Sequence, residues 1–170
     1  MMTASGKGTA MSDVRDADTA RVPTAAAVLG AAGLLPLILA LFVRLAGGVY
    51  PDTPIPIVIG GLALSYAALI LSFLGGIWWG VASARATPDQ LARLMSIAVV
   101  PPLIALVVVG LAWNFPASAS TLLAAAIALS PLVDRYLAQR GLVPAWWMKL
   151  RLPLSLALGA LTLGLGFSLA

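Results

Sequence analysis

An all-α, polytopic membrane protein, a bundle of five transmembrane helices, is the fold class this sequence predicts. Three observations lead there. Five apolar stretches, each close to the roughly 20 residues that a helix needs to cross a bilayer, fill nearly all of the chain after residue 22. Of 170 residues, 61% are hydrophobic and 9% charged, against roughly 25% charged in soluble domains. With a mean hydropathy of +1.03, a soluble domain of this size could not hide so much apolar surface. Nine of the ten Lys and Arg residues fall on one side of a five-span threading.

The elements follow in order. Residues 1–21 are small and polar, with Lys7, Arg15 and three Asp. They hold too little apolar surface to offset the entropy of ordering, and are expected to form a disordered cytoplasmic tail. No apolar region follows the basic start as in a secretory signal, so the first span is expected to act as an uncleaved anchor. That span covers about residues 22–45, with Pro23 at a tolerated helix start and Pro36 predicting a kink. A Gly- and Pro-rich turn follows, and span 2 covers about 57–81. Thr87, Pro88 and Asp89 form a helix-start signal before span 3, about 91–113, which carries Pro101 and Pro102. Asn114, Phe115 and Pro116 make a tight connection, so spans 3 and 4 (about 117–137) should be antiparallel neighbours. The segment Asp134 to Arg151 is amphipathic and aromatic, and is expected to lie along the interface. Span 5 covers about 152–170.

Lys and Arg are retained on the cytoplasmic face during insertion. Lys7, Arg15, Arg21, Arg85, Arg93, Arg135, Arg140, Lys149 and Arg151 lie on one side and Arg44 on the other. The N-terminus is therefore expected inside and the C-terminus outside. Trp78, Trp79, Tyr136, Trp146 and Trp147 fall at inner span ends, as headgroup-level aromatics do. This distribution accounts for the basic balance without nucleic acid as a partner.

Function classes are narrowed by what is missing. The chain has no Cys, His or Glu. Thiolate clusters, histidine-ligated haem and the usual zinc sites are excluded, and no metal, cofactor or catalytic residue is expected. Intramembrane charges, the usual mark of a pump or ion path, are expected to be essentially absent. Arg44 near a span end could pair with Asp52. Asp134 and Arg135 form a candidate polar site at the inner interface; the simpler account is that they end the helix and snorkel to headgroups.

Span 2 carries the clearest packing signal. Ala68, Ser72, Gly76, Gly80 and Ala84 recur every four residues, and Gly76 to Gly80 is a literal GxxxG. Small residues let backbones approach closely and promote helix association in lipid. The simplest role for this face is packing against another span of the chain, with a homo-oligomer seam or a cavity beside Trp78 and Trp79 as alternatives. Tyr66, deep in the same span, needs a hydrogen-bond partner, most simply on a neighbouring helix. Trp146, Trp147 and Arg151 sit in a basic segment suited to anchoring, or to anionic headgroups.

Two stretches carry a resemblance: Leu71-Ser72-Phe73-Leu74-Gly75-Gly76-Ile77-Trp78-Trp79-Gly80, and Pro144-Ala145-Trp146-Trp147-Met148-Lys149-Leu150-Arg151. They resemble the signatures of DUF3429, a family of small five-span membrane proteins of unknown function that includes a mitochondrial transmembrane relative. The resemblance covers about residues 22–170. It implies a bacterial inner membrane, or the mitochondrial inner membrane for the eukaryotic relative, and no established activity. In length, span number and Trp content the chain is also similar in architecture to the tryptophan-rich sensory proteins, which bind porphyrins and sterols.

The reading that results is an integral membrane protein without catalytic activity, structural or concerned with assembly. Its partners would be the lipid bilayer and other membrane proteins or a second copy of itself. The alternative is a binder or facilitator of a porphyrin, quinone or lipid.

Overall fold

The structure, a computed structural model, describes residues 21–46 and 53–169. The expected tail and the Arg44–Asp52 pair lie wholly or partly outside the described residues. Six α-helices and no strands are present among them: α1 (Thr24–Ala32), α2 (Leu35–Leu45), α3 (Ile55–Arg85), α4 (Pro88–Ala112), α5 (Pro116–Gln139) and α6 (Trp147–Leu169). With α1 and α2 counted as one broken span, five segments of 22 to 29 residues are long and apolar enough to cross a membrane. The shortest would rise about 33 Å, enough for a hydrocarbon core of roughly 30 Å. Leu39, Phe42, Leu69, Leu106, Leu132 and Phe167 are among many large apolar side chains exposed on the outside. Such a surface suits lipid, not water.

α3 is the hub. It packs most extensively against α4 and also meets α2, α5 and α6, while α5 and α6 form the other large interface. α4 and α5 also pack together, joined by the short turn at Asn114–Phe115, where both amides bond back to the carbonyl of Leu111. One apolar core gathers Leu37, Leu71, Val108, Leu123, Ile127 and Leu165. A second, at the basic end, gathers Trp78, Ala82, Leu94, Ala98, Leu137 and Leu142.

Pro36 acts as a break. It has no N–H to give the carbonyl of Ala32, and the helix is interrupted at Gly33–Leu34, where Leu34 N–H bonds the carbonyl of Ala31 at 3.0 Å. Tyr66 of α3 donates its hydroxyl to the carbonyl of Gly33 at 3.1 Å. The deep tyrosine thus has its partner on the neighbouring first span, in the break itself, one residue after the carbonyl whose helical donor Pro36 removes. At the other end of this span Arg44 donates to the backbone carbonyl of Ser168, next to the end of α6.

The connection between α5 and α6 differs from the expected interfacial stretch. α5 runs on to Gln139 and α6 starts at Trp147, leaving only a short turn. Gly141, at φ +68°, ends α5 in the left-handed conformation that glycine adopts most easily. Leu142 N–H bonds the carbonyl of Leu137, and Gly141 N–H that of Ala138, both at 3.0 Å. This is a Schellman motif, with Leu142 and Leu137 in the same apolar cluster. Arg85 adds a bond to the carbonyl of Leu142. Asp134 and Arg151 are therefore interior residues of two helices, not members of a surface segment.

The small-residue face of α3 is also corrected. Four residues turn a helix by about 400°, so each step advances about 40° and the row winds around the axis. Ala68 is buried and Ser72 half-buried, but Gly76, Gly80 and Ala84 are exposed. A Cβ at Gly76 or Gly80 would meet nothing within 4 Å. The glycine that permits close packing inside the bundle is Gly75. A Cβ there would fall 2.5 Å from the carbonyl oxygen of Ala98 and 2.8 Å from Cδ of Pro102. Pro102 has no N–H for that same carbonyl, four residues before it. The proline pair of α4 and Gly75 of α3 thus make one joint. Between α5 and α6, Gly166 and Gly159 serve likewise against Ser120 and Ala128.

Gly75→Ala should destabilise the fold by about 1–3 kcal/mol through overpacking against backbone. Gly76→Ala should leave stability unchanged or raise it by up to about 1 kcal/mol, the difference in helix propensity. Unfolding in mixed micelles, followed by circular dichroism, measures both; equal effects would contradict the assignment of the two glycines.

Candidate functional site

The polar centre of the molecule lies between α3, α5 and α6, inside the basic end. Asp134 is fully buried. It stands five positions before the end of α5, about 7 Å of helix rise in from the terminus. Its Oδ1 accepts from Nε1 of Trp78 and from Nε1 of Trp147, each at 3.0 Å. Its Oδ2 accepts from Nε of Arg151 at 2.9 Å, an ion pair in which the Arg151 side chain is 11% exposed. Nη2 of Arg151 reaches Oγ of Ser130 at 3.4 Å, and Ser130 and Ser155 lie within hydrogen-bond distance at 3.3 Å.

Each placement has a local cause. Ser130, Pro131, Asp134 and Leu137 are all buried in α5 at three- and four-residue spacing, so Asp134 falls on the stripe that faces the core. α6 begins early enough that Trp147 and Arg151, four residues apart, project from one face toward it. Trp78 lies on the buried side of α3, at 5% exposure.

A buried charge is costly unless paired and hydrogen-bonded. Here one carboxylate takes three donors from two other spans. Among the described residues no buried side-chain nitrogen or oxygen lacks a partner. The buried pair lies within two of the long apolar helices, near their basic ends. Snorkelling of Asp134 is overturned: the helix continues past it, and its ion-pair partner comes from α6. Arg135, its neighbour in sequence, points outward and takes no part. Trp78 is likewise an interior donor instead of a headgroup-level anchor. Trp79 remains exposed at 45%, and Trp146 stacks at a tilt on Trp147 with centroids 5.8 Å apart.

Nearby basic side chains have structural work too. Arg93 and Arg140 lie over the Tyr136 ring, 5.4 and 5.1 Å from its centroid. Beside the network, a cavity of about 340 Å³ lies between α1, α3, α5 and α6. Its walls are mainly apolar, and Tyr66, Trp147, Arg151 and Ser155 bring polar groups to it. Among the described residues no cluster of three or more Asp, Glu, His or Cys is placed to hold a metal.

Removing one partner of a buried pair is expected to cost about 3–5 kcal/mol. Asp134→Leu should reach that range, since it leaves a guanidinium and two indole N–H groups without their acceptor. Joined with Arg151→Met, it should cost less than the two single changes added together, by at least about 1 kcal/mol. A double-mutant cycle on unfolding measures the coupling; strict additivity would contradict the pair.

No curated protein and no solved structure matches the chain. A family model described as a protein of unknown function, DUF3429, matches residues 22–166, most of the chain and both aromatic signatures. A multi-span helical bundle carrying those signatures is thus a member of the DUF3429 family, to which this chain belongs.

Proposed function

We propose that this protein is a non-catalytic structural or assembly protein of the bacterial inner membrane, with its N-terminus on the cytoplasmic side. The observation that carries the non-catalytic reading is the state of Asp134. It is enclosed, and both oxygens are occupied by donors from other spans. General acid–base work needs a group within reach of a substrate proton, and this one faces only its own fold. A clamp that joins three spans is what the arrangement supports.

The orientation rests on charge. Among the described residues, Arg21, Arg85, Arg93, Arg135, Arg140, Lys149 and Arg151 fall at one end of the spans and Arg44 at the other. Lys and Arg near span ends favour the cytoplasmic side.

The surface for association is the outward side of α3. Gly76 and Gly80 are open, with exposed Phe73 and Trp79 beside them. The occupant proposed is a transmembrane helix of another membrane protein, which small residues admit to close backbone contact. Because both glycines face outward, Gly76→Leu with Gly80→Leu should leave the bundle folded, within about 0.5 kcal/mol as surface changes usually do. The same change should release the partner. Crosslinking in native membranes followed by mass spectrometry reads the outcome. A folded double variant that keeps every crosslinked partner would contradict the proposal; crosslinks only to itself would replace the foreign helix with a second copy.

A further inference from the structure

We infer that the cavity between α1, α3 and α6 is a binding site for one acyl chain bearing an anionic headgroup, with the headgroup at Arg151. The inference is independent of the assembly reading, since it concerns bound lipid and not bound protein.

The shape is elongated along the spans. On α3 the lining runs from Tyr66 to Ile77, and on α6 from Trp147 to Leu158. Each interval is about 16 Å of helix rise. The cavity thus extends from the basic end toward the middle of the membrane. Apolar side chains, among them Leu34, Ile70, Leu74 and Leu154, line its length, and Arg151 lies near the basic end. That polarity, cationic at one end and apolar along the rest, matches an amphipath and not a uniformly apolar guest.

The wall also supplies an entrance. Leu29 and Phe73 line the cavity and are exposed on the outside of the bundle at 73% and 67%. The α1 segment that bears Leu29 has no buried residue and is separated from α2 by the break at Gly33–Leu34. A chain could enter sideways from the lipid.

Arg151 is already oriented for the headgroup. Asp134 holds its Nε, and Ser130 takes only a long bond from Nη2. Nη1 bonds no group among the described residues, and no buried nitrogen there is without a partner, so this nitrogen reaches open space. The guanidinium fork suits a ligand with two acceptor oxygens, a carboxylate or a phosphate. Asp134 offsets the charge of Arg151, so the fork contributes direction while Arg85, Arg93, Arg135, Arg140 and Lys149 at the same end contribute the field. Basic pockets between spans at the cytoplasmic level bind anionic headgroups on this principle.

The full chain in mild detergent, supplied with phosphatidylglycerol, phosphatidylcholine and oleate, tests this by native mass spectrometry. One retained anionic adduct is expected, at roughly tenfold preference over phosphatidylcholine. A phosphatidylglycerol adduct names a membrane phospholipid as the source and an oleate adduct a free fatty acid. Arg151→Lys keeps a cation for Asp134 but loses the fork, and should weaken retention about tenfold. Leu154→Trp fills the cavity without touching the ion pair, and should abolish the adduct in a variant that circular dichroism shows to be folded. No preference for anionic lipid, or an adduct that survives both folded variants, would overturn the inference.

Discussion

A carboxylate cannot sit inside a membrane bundle without donors, and this requirement organises the basic half of the molecule. Asp134 of α5 draws Trp78 from α3 and both Trp147 and Arg151 from α6 to a single point. The apolar effect cannot do this. Lipid is as apolar as leucine, so burial in hydrocarbon gives spans little reason to prefer one rotation over another. A directional, charge-assisted cluster sets the rotation of each helix, because a turn of one residue would carry a donor about 100° away from its acceptor. The early start of α6 and the short turn closed by Gly141 follow from the same requirement.

At the other levels the fold depends on close backbone approach. Gly75 admits the carbonyl of Ala98 where Pro102 has removed that carbonyl's helical donor. Tyr66 answers the break before Pro36 in a comparable way. In both places a proline opens a gap in one helix, and a residue of α3 meets the freed region. α3 thus combines three roles around its circumference: a glycine joint toward α4, polar contacts toward the first span and α5, and an open small-residue side toward lipid.

The spans were legible because a bilayer demands about 20 apolar residues and little else resembles that pattern. Their number and the tight turn at Asn114 follow from composition and loop length alone. The polar site was not legible, although Asp134, Trp147 and Arg151 each stand out in the sequence. Asp134 and Arg151 lie seventeen positions apart across a turn, and a charge near the end of an apolar run looks like a terminator. Only the buried stripe Ser130–Asp134–Leu137, read at helical spacing up to the expected span end, could have pointed inward. Gly75 and Gly76 differ by one position, and the literal GxxxG marks the outward glycine, not the one that packs within the bundle. Spacing alone does not say which side of a helix the rest of the bundle occupies.

The central claim is that two indole N–H groups and a guanidinium share one buried carboxylate. Indole proton and nitrogen resonances of the five tryptophans in lipid nanodiscs test it most directly. The account predicts that Trp78 and Trp147 resonate downfield of Trp79, Trp113 and Trp146, and that both move upfield together in Asp134→Asn while Trp79 and Trp113 stay in place. If only one of the pair moves, or neither does, the shared carboxylate is not the junction of the three spans.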